Sequence, residues 1–188
     1  MTKINTKTIT KSGLSVKAQT FAAVGAIAAA VLLPQALHVL GKASGIGTAL
    51  GEVFLPMHLP IILAGLLAGS YVGAIAGLFG PLLSFLFTGM PGAAMLPFMM
   101  LELFCYGLLS GLLRNHRMPT FAKVVTTQVF GRAIRAIAIL FSVYVLGSNR
   151  IPAAIIISSI QTGMIGIALQ WMLIPLIVYR VEAADRHA

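Results

Sequence analysis

FLPMHLPIILAGLLAGSYVGAIAGLFGPLLSFLFTGMPGAAMLPFMMLELFCYGLLSG, residues 54–111, decides the fold. The stretch is long enough to cross a bilayer more than once. Pro56, Pro60, Pro81, Pro91 and Pro97 interrupt it and glycines recur between them, so it reads as three apolar helices joined by tight turns rather than one smooth helix. Glu102 is its only formal charge and His58 stands near its start. A bare ionisable group at membrane depth is costly, which makes Glu102 the first candidate for a functional site.

The rest of the chain agrees with a membrane reading. Of 188 residues 59% are hydrophobic and only 9% charged, with a mean hydropathy of +0.98, far from soluble globular usage. The formal net charge of +9 does not point to nucleic acid, because the basic residues stand singly at the ends of apolar segments and form no polar domain. The single cysteine, Cys105, has no disulfide partner and reads as packing. The first seventeen residues are polar and the apolar run after them lacks a small-residue cleavage site, so no cleavable signal is expected.

Outward from the deciding stretch, a basic N-terminal segment over 1–17 carries Lys3, Lys7, Lys11 and Lys17. A first helix over about 18–40 follows, with Ala22, Ala26 and Ala30 at four-residue spacing, a stripe where another helix can approach closely, either within this chain or from a partner. A glycine-rich outer loop over 41–55 is a candidate lid. The second helix, 59–69, is roughly 16 Å long and too short to span alone. The third runs 71–87 and the fourth 94–113, with a second outer loop over 88–97. The fifth runs 120–146, the sixth reaches Tyr179, and a tail covers 181–188. The spacing therefore predicts an all-α integral membrane protein of six transmembrane helices over 18–180.

Six helices leave both termini on one side. Lys3, Lys7, Lys11, Lys17, Arg114, Arg117, Lys123, Arg180 and Arg186 then share that side, against Lys42 and Arg150 opposite. The asymmetry makes both termini cytoplasmic.

Within the membrane the polar residues fall at similar depth. At 1.5 Å per residue Glu102 lies roughly 10 Å below the outer end of its helix, Gln161 roughly 14 Å, and Arg135 and Arg132 roughly 17 and 21 Å. Gln128, Arg132 and Arg135 share one helical face. Glu102 neutralises one arginine and leaves an excess positive charge suited to a carboxylate or phosphate; an internal ion-pair network is the competing reading. His58 is a candidate to line the same cavity and Tyr106, one turn after Glu102, a candidate to orient it. No His-Glu-x-x-His, G-x-S-x-G, phosphate loop or Cys/His cluster with ligand spacing occurs, so no enzyme, metal or cofactor is expected.

The first-helix stripe Ala22, Ala26, Ala30, the Phe-Leu-Pro-Met-His-Leu-Pro run at 54–60, the Thr-Gly-Met-Pro run at 88–91, the short second helix after a long outer loop, and the six-helix count together resemble the substrate-binding S component of energy-coupling factor (ECF) vitamin transporters. The resemblance covers nearly the whole chain. It implies an S-component bundle in a bacterial plasma membrane that captures a B-type vitamin outside and docks on an ECF module, made of a transmembrane T component and two cytosolic ATPases. The Ala22–Ala26–Ala30 face is then expected to touch the T component, and the pocket to be lined by Glu102, Arg132, Arg135 and Gln161. Pantothenate is the first ligand candidate for its carboxylate, amide and hydroxyls, and a corrinoid such as cobalamin the second. Two readings of other classes remain at this point: a stand-alone proton-coupled carrier working through Glu102, and a purely structural membrane protein.

Overall fold

A computed structural model describes residues 15–187, with side chains described as far as Ala184. The basic segment 1–17 thus lies outside the described residues except for its last three, and the end of the tail lies outside them too. The described chain is helical without strands: α1 (Val16–Ala43), α2 (Ala49–Phe54), α3 (His58–Ala68), α4 (Ser70–Thr88), α5 (Leu96–Leu112), α6 (Thr120–Leu140), α7 (Ile155–Thr162) and α8 (Met164–His187). A π-helical turn over Phe141–Val145 extends α6.

Five of these stretches are long and apolar enough to cross a membrane: 16–43, 49–68, 70–88, 120–144 and 164–184. The seventeen-residue α5 is the shorter sixth. Short α2 and α3 together make up the second span, and α7 leads into the sixth. Two expectations change here. The first helix continues to Ala43, and the following outer loop contains a helix of its own, α2, because of its glycines only Gly45 and Gly47 take positive φ and Gly51 does not. The sixth helix is broken at Gly163, so its first eight residues form a separate rod.

Small residues decide how closely the helices sit. The turn from α3 to α4 is a single residue, Gly69, at φ 110, a region that strains any residue with a Cβ. On α4, Gly73 lies against the Gly107 carbonyl of α5 and Gly77 against the Leu103 carbonyl, so a side chain at either would strike backbone. Gly65 of α3 does the same against Ser110 and Gly107. In a bilayer, where lipid tails are as apolar as leucine, such close approach supplies the packing that burial supplies in water. Helix α5 is thereby wedged into the groove between α3 and α4, with Leu103 and Tyr106 fully buried.

The Ala22–Ala26–Ala30 stripe is turned inward. Ala26 and Ala30 are buried in the core with Ala22 packed against the same cluster, beside Ile61 of α3 and Ala76 of α4, and Gly80 of α4 faces the Ala30 methyl. Ala26 and Ala30 of this stripe are therefore covered by the chain's own helices and Ala22 is partly covered, the internal one of the two contacts that the spacing allowed. The exposed side of α1 carries Phe21, Val24 and Leu32.

Candidate functional site

At the end where α1, α4 and the α6 extension finish, a cavity of about 400 Å³ opens between the helices. Its walls come from Pro34 and His38 of α1, Gly51 and Glu52 of α2, the Met90-Pro91-Gly92 turn, and Ser158, Ser159 and Thr162 of α7. Its floor is His58, Glu102 and Arg135, with Met95 and Met99 alongside. The volume falls at the small end of the roughly 300–1,000 Å³ range of small-molecule sites, and the mixture of apolar wall with a few convergent polar groups is what such sites use.

The floor is built by local packing. Glu102 is fully buried on α5. Tyr106, four residues on, donates its hydroxyl to Glu102 Oε1 at 2.8 Å, and the Tyr106 ring fits only because Gly131 of α6 offers no side chain against it. That glycine brings α6 close enough for Arg135 Nη1 to reach Glu102 Oε2 at 3.0 Å. The His58 ring stands 5.4 Å from that of Tyr106, tilted by 54°. Both carboxylate oxygens of Glu102 are thus held by donors, and the carboxylate acts as a fixed anchor.

Arg135 takes the Glu102 carboxylate, a second carboxylate, Glu52, stands in the cavity wall, and no ion pair holds Arg132 among the described residues. The Nε–H groups of Arg132 and Arg135 are both buried without an acceptor. Both guanidinium groups border a narrow cleft between α6 and α7, closed by Ile156 and Ile160 and continuous in lining with the main cavity through Arg135 and Ser159. This cleft holds only about 10 Å³, less than a carboxylate needs, so both Nε–H groups are closed off from the cavity in this arrangement.

Of the residues singled out from the sequence, His58, Glu102, Tyr106 and Arg135 come together, and Arg132 stands next to them. Gln128 and Gln161 do not. Gln161 is exposed on α7, because the break at Gly163 leaves Ser158, Ser159 and Thr162 of that rod facing the cavity. Gln128 Nε2 instead donates to Gln170 Oε1 of α8 at 2.7 Å, away from the floor. His38, Ser158, Ser159, Thr162 and Gln170 were missed by the sequence reading; a run of Ser-Ser and Thr inside an isoleucine-rich segment was the available signal for three of them.

Residues 15–178 match the family described as ECF transporter, substrate-specific component. The match covers most of the chain, and the chain belongs to that family. No curated protein and no solved structure gives a match. Family and apolar helices together make the chain a multi-pass membrane protein, the substrate-specific component of an ECF transporter.

Proposed function

We propose that this subunit captures a small carboxylate-bearing vitamin, with pantothenate as first candidate, and delivers it to an ECF module of a transmembrane T component and two cytosolic ATPases. The observation that supports the ligand class is the neighbourhood of the cavity floor: Arg135 is paired with Glu102, the adjacent Arg132 has no ion pair among the described residues, and the Nε–H donors of both arginines have no acceptor. A carboxylate that widens the cleft between α6 and α7 to reach Arg132 would satisfy them, while the Ser158, Ser159 and Thr162 hydroxyls in the cavity wall offer partners to the amide and hydroxyl groups of the same molecule. The cavity volume of about 400 Å³ favours a solute of this size over a corrinoid several times larger.

The cavity lies at the end of the bundle that carries Lys42 and Arg150, while Arg114, Arg117, Lys123 and Arg180 stand at the other. Positive-inside orientation supports both termini being cytoplasmic, in a bacterial plasma membrane, with the cavity facing out. The transmembrane unit is then 18–180, flanked by the basic segment 1–17 and the tail 181–188. A proton-coupled carrier needs a carboxylate free to load and release protons, and the doubly held Glu102 suits that role poorly.

The test is reconstitution. The purified subunit alone in liposomes is expected to bind radiolabelled pantothenate saturably without concentrating it, and to concentrate it only with the complete module and ATP. Accumulation by the subunit alone would replace this reading with the carrier, and absence of saturable binding would remove pantothenate.

A further inference from the structure

The cavity wall supplied by α2 is seated on a different helix from those that form the floor. Helix α2 is tied to the bundle at its C-terminal end, where Leu55 takes a left-handed conformation, φ 48 and ψ 50, unusual for a residue with a branched side chain. The Leu55 carbonyl accepts from Gln170 Nε2 of α8 at 3.2 Å. Gly166, one turn before Gln170, lies so near the Val53 and Phe54 carbonyls that a Cβ there would approach them to 2.6 Å, and a Cβ on Gly163 would meet the Leu55 side chain at 2.7 Å. Two glycines and a glutamine on one face of the α7–α8 rod therefore form a seat fitted to α2.

Gln170 is itself held. It is buried at 2% exposure, its Oε1 accepts from Gln128 Nε2 at 2.7 Å, and Gln128 Oε1 accepts from the Trp171 indole N–H at 2.7 Å. Each amide uses one end to fix the next, so the Gln170 donor is oriented towards Leu55 before α2 arrives.

We propose that Gln170 is the positioning residue that holds α2 closed over the cavity, oriented for this by Gln128 and Trp171. Opening requires α2 to leave the Gly163–Gly166 seat and Leu55 to lose the Gln170 hydrogen bond, so the strength of this contact sets how often the cavity is open. The proposal concerns access to the cavity and holds whichever solute occupies it.

The test reads access directly, without a ligand. Ser84, 1% exposed at the cavity wall, is replaced as Ser84→Cys, and its modification by a water-soluble maleimide is followed by peptide mass spectrometry of the full-length protein, with the buried native Cys105 as internal reference. When closing is faster than modification, the labelling rate follows the open population. Gln170→Met removes the hydrogen bond at similar size and is expected to raise labelling at position 84 about five- to tenfold, the worth of roughly one amide–carbonyl bond, with Cys105 still protected. Gln161→Met on exposed α7 is expected to change nothing. An unchanged rate at position 84 in Gln170→Met, or an equal rise at Cys105 that signals general loosening, overturns the proposal. Should Gln170→Met not fold, Gly166→Ala, which pushes the Phe54 carbonyl from its seat, decides in the same way.

Discussion

Arg135 reaches from α6 to α5 and sets its Nη1 3.0 Å from Oε2 of Glu102, with the carboxylate side chain 1% exposed and the guanidinium 11% exposed. A pair so placed is expensive to break from one side, because the remaining charge is left buried. Glu102→Gln is therefore expected to destabilise the protein by about 3–5 kcal/mol, read as a lower thermal unfolding midpoint in detergent. The double variant Glu102→Leu with Arg135→Met removes both charges and is expected to recover most of that loss while no longer binding the solute. A double variant as unstable as the single one would show that the pair's geometry, and not its charge balance, holds α5 to α6.

Arg132 separates binding from stability. It has no carboxylate partner among the described residues, so Arg132→Gln relieves an uncompensated charge and is expected to leave the unfolding midpoint unchanged or raised. A hydrogen bond to a charged group is worth about 1.5–3 kcal/mol, so the same variant is expected to weaken pantothenate binding roughly 10- to 100-fold. Isothermal titration against the neutral alcohol analogue of pantothenate checks the assignment: that ligand should bind wild type and Arg132→Gln about equally. Equal weakening for both would place the carboxylate elsewhere.

The glycines on α4 and α5 make a third prediction. Gly77 faces the Leu103 carbonyl with no room for a side chain, whereas a Cβ on Gly25 of α1 meets nothing within 4 Å. Gly77→Leu is expected to prevent folding or to spread α4 from α5 and open the floor around Glu102, and Gly25→Leu to be silent in size-exclusion profile and unfolding midpoint. Loss of folding in Gly25→Leu would show that this side of α1 is packed against the protein's own helices and not open.

How far the sequence carried the reading can be followed through two glutamines. Gln161 and Gln170 lie nine residues apart in one apolar run, which at 100° per residue puts them on opposite faces of a continuous helix. Only one can face inward, and hydropathy alone does not choose between them; the break at Gly163 and the seat of α2 on Gly166 settle it for Gln170. Glu102 was legible because a lone carboxylate in an apolar run has few alternatives, and Arg135 and Tyr106 followed from helical spacing. Helix α2 was not, since its six residues sit among glycines and gain order from tertiary contacts, Gly51 under His38 and Phe54 over Gly166. The helix count was legible because it depends on length and polarity, whereas the direction of each face depends on partners distant in sequence.

The alanine stripe gives the last prediction. Four-residue spacing of Ala22, Ala26 and Ala30 identifies a face where helices come close, yet spacing says nothing about which helix comes. Here Ala30 is fully buried among α3 and α4, and a larger residue overpacks the core. Ala30→Leu is expected to destabilise the isolated subunit by about 1–3 kcal/mol, visible in its unfolding midpoint without any partner present. Ala28, exposed on another side of the same helix, is expected to accept leucine with no change in that midpoint. If Ala30→Leu left the isolated subunit as stable as wild type and blocked uptake only in the assembled transporter, the stripe would have to leave the core when the subunit docks, and the packing of α1 against α3 and α4 would be one of two arrangements.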